Sequence, residues 1–184
     1  MKKIGLIALT TLFPLSLMAQ EPSAQEARGL AKTFVEKLQP ELKAGMKNGG
    51  PVNAIGVCHS KAPQIAHDLA KSSGWNVNRV SLKPRGASAT PDSWETAVME
   101  KFNAQLASGI DVKTIEFSEI VSHNGQQEFR YMKAIPTGEV CLKCHGTDVA
   151  APVKEAIAKF YPQDQATGYQ MGQIRGAFSF SKAM

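Results

Sequence analysis

Cys141-Leu142-Lys143-Cys144-His145 is the stretch of this chain best equipped for chemistry. The C-x-x-C-H spacing puts two thiols three positions apart, where each can add to one vinyl group of a single haem. The histidine that follows is then held under the iron, where an imidazole nitrogen can bind it. C-x-x-C alone would also suit a redox disulfide or half a zinc site. Zinc would need a second ligand pair at suitable spacing, which the sequence lacks. A thioredoxin-like motif would need a parallel strand-helix-strand context, also absent.

Cys58 is the remaining one of the three cysteines. If Cys141 and Cys144 carry haem, it has no disulfide partner, which in an exported protein suggests intermolecular pairing or a thiol with another use. Ala54, Ile55 and Cys58 fall on one helical face, so the thiol is expected to point inward, where the plain alternative is a small buried core residue. For a sixth iron ligand, Met or His is the usual type, and Met46, Met99, Met132, Met171, His59, His67 and His123 are available.

Export is read from the N-terminus. Met1-Lys2-Lys3, an apolar run from Ile4 to Leu17 and a small residue, Ala19, have the form of a secretory signal peptide. The run is short of the ~20 residues a membrane span requires, and Pro14 interrupts it. The expected organisation is a leader over 1–19 and one domain over 20–184, with a periplasmic location and no membrane insertion after cleavage. The net charge of the 184-residue chain is +5; removing Lys2 and Lys3 from its 21 basic residues leaves 19 against 16 acidic, or +3. That small excess carries no nucleic-acid footprint.

The elements that must position these residues follow from periodicity. Ser23 to Glu26 has capping-box spacing, and Ala27, Leu30, Ala31, Phe34 and Leu38 recur as a helical stripe. Pro40 is expected to break or kink that helix and Gly49-Gly50 to stop it. A further helix is expected from Pro63 to about Ser72, capped by Ser60 and ended by Gly74. His67 lies off its apolar stripe and is expected to be solvated. Trp75 to Lys83 reads as a strand. Thr90 as cap and Pro91 at the first helical position start a helix with a Trp94, Val98, Phe102, Leu106 stripe. Val112 to Val121 and Glu128 to Ile135 read as strands of a hairpin turning at Asn124-Gly125. Val153, Ile157 and Phe160 mark a helix, Gln163 to Gln173 a polar loop, and Ile174 to Ser181 a last strand. Helices and strands without strand-helix-strand repetition predict an α+β fold with an antiparallel sheet.

With these residues in place, the chain resembles the PAS-like c-type haem domain family, whose type member is a photosystem II-linked cyanobacterial cytochrome and whose members occur alone or as sensor modules. The resemblance lies in Ala54 to Ala62 (AIGVCHSKA), Arg79 to Lys83 (RVSLK), Pro91 to Glu95 (PDSWE), Cys141 to Gly146 (CLKCHG) and Tyr161 to Gly176, and spans nearly the whole chain after the leader. The family usually has an Arg-Asn pair and a second Asn before Pro-Asp. Here that segment is Arg85-Gly86-Ala87-Ser88-Ala89-Thr90, and the role of those asparagines does not carry over. The resemblance implies a PAS-like sheet flanked by helices and one covalently attached haem c. It also implies His145 as proximal ligand and Cys58 as distal ligand, with His59 as fallback. Arg79, Lys83 and Arg85 lie beside matching positions and are candidates for the haem propionates.

A thiolate donor favours ferric iron and a low potential. Two protein ligands leave no open site, so no catalytic residue is expected. The expected function is low-potential electron transfer with a redox partner protein. The alternative is a haem-based redox or gas sensor that acts through a signalling partner. The chain ends at Met184 with no transmembrane or kinase segment after the domain, which favours the electron carrier.

Overall fold

The structure, a computed structural model, describes residues 21–123 and 125–184. The expected leader lies outside the described residues. Among them, no helix is long and apolar enough to cross a membrane.

Helix α1 spans Ala24–Ser73, with non-helical dihedrals at Gly49 and Gly50 that divide it in two. Gly50 has φ 66°, a region glycine enters without a Cβ penalty. Ser23 caps the first half, its hydroxyl accepting from the Glu26 amide at 3.2 Å. Two sequence expectations are corrected here. Pro40 does not end the first half, and the second half runs unbroken through Pro63 to Gly74, so Ser60 is not a cap. The Ser60 hydroxyl instead donates to the Gly56 carbonyl at 3.0 Å. Interior proline costs about 3 kcal/mol, but Ala54, Ile55, Ala62, Ile65 and Leu69 form one buried row across it, and burial of that row outweighs the loss. Gly74, at φ 70°, closes α1 as expected.

The sheet has four antiparallel strands: β1 Asn76–Val80, β2 Glu116–His123, β3 Gln126–Pro136 and β4 Ile174–Ala183. Their order is β1-β4-β3-β2, so the last strand to be made sits inside the sheet. β2 and β3 pair in the expected hairpin, with His123 opposite Gln126 and Gly125 at φ 78°. The residues from Val112 to Thr114, read as strand, are a short 3-10 turn before β2.

Helix α2, Ser93–Ala107, begins two residues later than the sequence suggested. Asp92 caps it, in place of Thr90. Its carboxylate accepts from the Glu95 amide at 2.7 Å, and the Glu95 carboxylate accepts from the Asp92 amide at 2.8 Å. The second carboxylate oxygen of Glu95 is buried, taking the Ser179 hydroxyl at 2.5 Å and lying 3.5 Å from Arg130. Asp92→Ala is therefore expected to cost about 1–2 kcal/mol, seen as a lower midpoint in urea unfolding with the slope unchanged.

Alternation puts the two sheet faces to different uses. Tyr131, Phe178 and Phe180 pack on Phe34, Trp75 and the alanines of α1. Met132, Ala134 and Ala177 pack on Val98, Met99 and Phe102 of α2. The Trp94 to Leu106 stripe is thus core. Two short helices complete the chain, α3 Glu139–His145 and α4 Ala151–Phe160. Val153 and Ile157 of α4 pack on Ile55, tying α4 to the second half of α1.

Candidate functional site

The C-x-x-C-H residues all lie on α3, which starts directly after β3 and so sits at one end of the sheet. Cys141, Cys144 and His145 face a cavity of about 690 Å³, walled on its other side by α1 through Leu38, Leu42, Ala54, Ile55 and Cys58. That volume is within the ~300–1,000 Å³ of small-molecule and cofactor sites. Cys58 thus shares a wall with Ala54 and Ile55, as the helical face required, and comes from a different element than His145. All three cysteines are free.

His145 is fixed by the loop before β4. Its Nδ1 lies 2.6 Å from the Ala166 carbonyl. A carbonyl can only accept, so Nδ1 carries the proton and Nε2 keeps its lone pair. Burial, followed by the charges of Arg175 and Arg85, holds the imidazole well below its usual range, so the ring is neutral at physiological pH. A neutral ring with Nε2 free and Nδ1 tied to a carbonyl is the arrangement of a metal-ligating histidine.

Arg85 supports that loop. Its Nε donates to Asp164 at 2.9 Å, and a terminal nitrogen donates to the carbonyls of Cys144 at 2.6 Å and Ala166 at 3.2 Å. Asp164 in turn accepts from the Ala166 amide at 3.0 Å. One guanidinium therefore links the end of α3 to the residue that orients His145. The Cys58 thiol is pushed up by burial, while Arg79, Arg85 and Arg175 pull the other way.

The site residues named from the sequence are not all brought together. Cys58, Cys141, Cys144, His145, Arg79, Arg85 and His59 line the cavity. Lys83 does not. Its Nζ lies 5.1 Å from the centre of the Tyr169 ring and 3.4 Å from the Thr167 carbonyl, beside a separate groove next to α2. His59 is exposed, its ring against Phe160 and Tyr161 at 5.0 and 5.2 Å. Met99 and Met132 are core, His67 is exposed, and Met171 is 61% exposed and does not line the cavity. Among the described residues, Met46 is the one methionine at the cavity wall.

Sequence reasoning missed Arg175 and the Asp164-Gln165-Ala166 turn. Arg175 had a visible signal: it is a charge inside the otherwise apolar run Ile174 to Phe178. The Ala166 carbonyl had none, since any residue supplies one.

A sheet layered between α1 and α2, with a cofactor-sized cavity between α1 and α3, defines a PAS-like α+β domain. The chain matches the Tll0287-like family over residues 16–182 and belongs to that family. Its fold is similar to that of the cyanobacterial heme-protein Tll0287, with a TM-score of 0.63 and 22% identity, covering 88% of this chain and 98% of that one. No curated protein matches the chain.

Proposed function

We propose that the cavity holds one haem c, and that the protein is an exported, low-potential electron carrier. The observation that carries this is the convergence of Cys141, Cys144, His145 and Cys58 on one cavity of cofactor size. The likeness to a heme protein, in a family shared over most of the chain, supports it. No three His, Cys, Asp or Glu side chains are gathered to hold a bare metal ion among the described residues, which disfavours a zinc site.

In this assignment Cys141 and Cys144 would hold the haem through thioethers, and His145 through Nε2 and Cys58 through its sulfur would bind its iron. When bound, the haem supplies reversible one-electron chemistry. The chain's own residues do the rest. Leu38, Leu42 and Ile55 give one face of the cavity an apolar lining. The Ala166 carbonyl holds the His145 ring in place, and the Arg85–Asp164 pair holds Ala166. Cys58 and His145 come from two different helices, α1 and α3, and with both held to the iron the proposal includes no catalytic activity. The signal-peptide form of the N-terminal sequence supports a periplasmic location, and a separate redox protein is the proposed partner.

Intact-mass measurement tests the assignment directly. Protein exported with a haem-maturation system is expected to weigh the mature chain plus one haem. A bare-chain mass, or haem extracted by acid acetone, would overturn it.

A further inference from the structure

Two arginines in the cavity wall have no anionic partner. Arg79 on β1 and Arg175 on β4 both line it, and neither forms an ion pair or a side-chain hydrogen bond among the described residues. Arg79 lies over the Phe34 ring, 4.8 Å from its centre. Burial, followed by the nearby Arg175 charge, pulls its pKa down to about 10. Arg175 is lowered chiefly by burial as well. Both side chains are half-buried in the cavity wall, and a guanidinium partly withdrawn from water favours an anionic partner.

The backbone shows how Arg175 is aimed. Ile135 pairs with Gly176 and Pro136 with Ile174, so Arg175 is the extra residue of a bulge with no partner opposite. Bulges re-aim a side chain next to a site. The bulge is pinned by buried Ser81, whose hydroxyl donates to the Arg175 carbonyl at 2.8 Å. Arg85 differs from both, because its Nε and one terminal nitrogen are already engaged by Asp164 and two carbonyls, so its charge has an anionic partner.

Resting on the haem assignment above, we propose that Arg79 and Arg175 form a receptor for a dianion, and that its occupants are the two haem propionates. Two guanidinium forks match two carboxylates in both charge and geometry. The pair replaces Arg79, Lys83 and Arg85 as the propionate set, and Arg85 becomes a positioning residue for His145.

The test uses the haem-loaded protein. Arg79→Gln, Arg175→Gln and the matching Lys variants are each checked by intact mass, then measured by spectroelectrochemistry and resonance Raman. Loss of a nearby positive charge stabilises ferric iron. Each Gln variant is expected to shift the ferric-to-ferrous ratio at fixed ambient potential about tenfold, a fall in midpoint of ~59 mV. The propionate bending modes should move with it. The Lys variants should recover most of the midpoint but not the mode positions, because the fork is lost. If a Gln variant fails to fold, its Lys partner still reports through the modes. Haem-loaded variants with unchanged midpoint and unchanged modes would overturn the receptor alone. So would an Arg175→Gln effect that vanishes in a Cys58→Ser background, since the arginines would then serve the thiol. A bare-chain mass in the unsubstituted protein would instead overturn the haem assignment, and the receptor with it.

Discussion

Cys58→Ser is expected to raise the midpoint potential by on the order of 100 mV or more, within the ~0.8 V range over which axial ligands set haem potentials. The thiol reaches the cavity from α1 while His145 reaches it from α3, so the two can act from opposite walls. Serine keeps the size of the side chain but supplies a far weaker electron donor. The thiolate signature in the ferric EPR spectrum should disappear, leaving a vacant axial position or one taken by His59, whose ring is also at the cavity edge. Covalent attachment should survive, because Cys141 and Cys144 are untouched, and intact mass provides that control. Unchanged g-values and midpoint would show that Cys58 is not the donor, and Met46, a methionine of the wall, would be the next residue to test.

The parts of this site that were legible in the sequence are those fixed by local spacing. C-x-x-C-H places its three side chains within two turns of any helix, so their convergence needed no tertiary information. The inward face of Cys58 followed from Ala54 and Ile55 in the same way. Boundaries set by competition between local signals were less legible. Thr90-Pro91 has the form of a helix start, but Asp92 wins because Glu95 reciprocates its hydrogen bond and is itself fixed by Ser179 on a distant strand. Ser60-Pro63 has the form of a new start, but the buried row on α1 runs straight through it.

Long-range placement was least legible. Arg79, Lys83 and Arg85 are neighbours in sequence and looked equivalent. Yet β1 ends at Val80, and the chain then turns, leaving Lys83 beside Tyr169 and carrying Arg85 back toward Asp164. Arg175 comes from 90 or so residues further on, and antiparallel pairing of β1 with β4 brings it beside Arg79. A register shift of one residue decides where it points, and nothing in the residues near Arg79 encodes that.

Gly176 is where this register depends on a missing side chain, and Gly176→Val is expected to be the most damaging single change outside the proposed ligands. A Cβ there would lie 2.5 Å from the Val80 carbonyl oxygen. That oxygen belongs to the backbone of β1, so relief requires moving the strand rather than rotating a side chain. β1 is a five-residue edge strand held to the sheet only through β4. Overpacking of this kind costs about 3 kcal/mol, which for a domain of this size lowers Tm by ~6–12 °C. The damage should extend to function, because β1 carries Arg79 and the bulge at Arg175 immediately precedes the substituted position. Haem loading should fall together with Tm. Gly29→Ala is the matched control: nothing lies within 4 Å of its added Cβ, and it sits on an exposed face of α1. That change should be neutral or stabilising by about 0.5–1 kcal/mol. Calorimetry of the two variants separates the effects, and a Gly176→Val protein as stable as its parent would show that β1 and β4 do not approach as closely as this register requires.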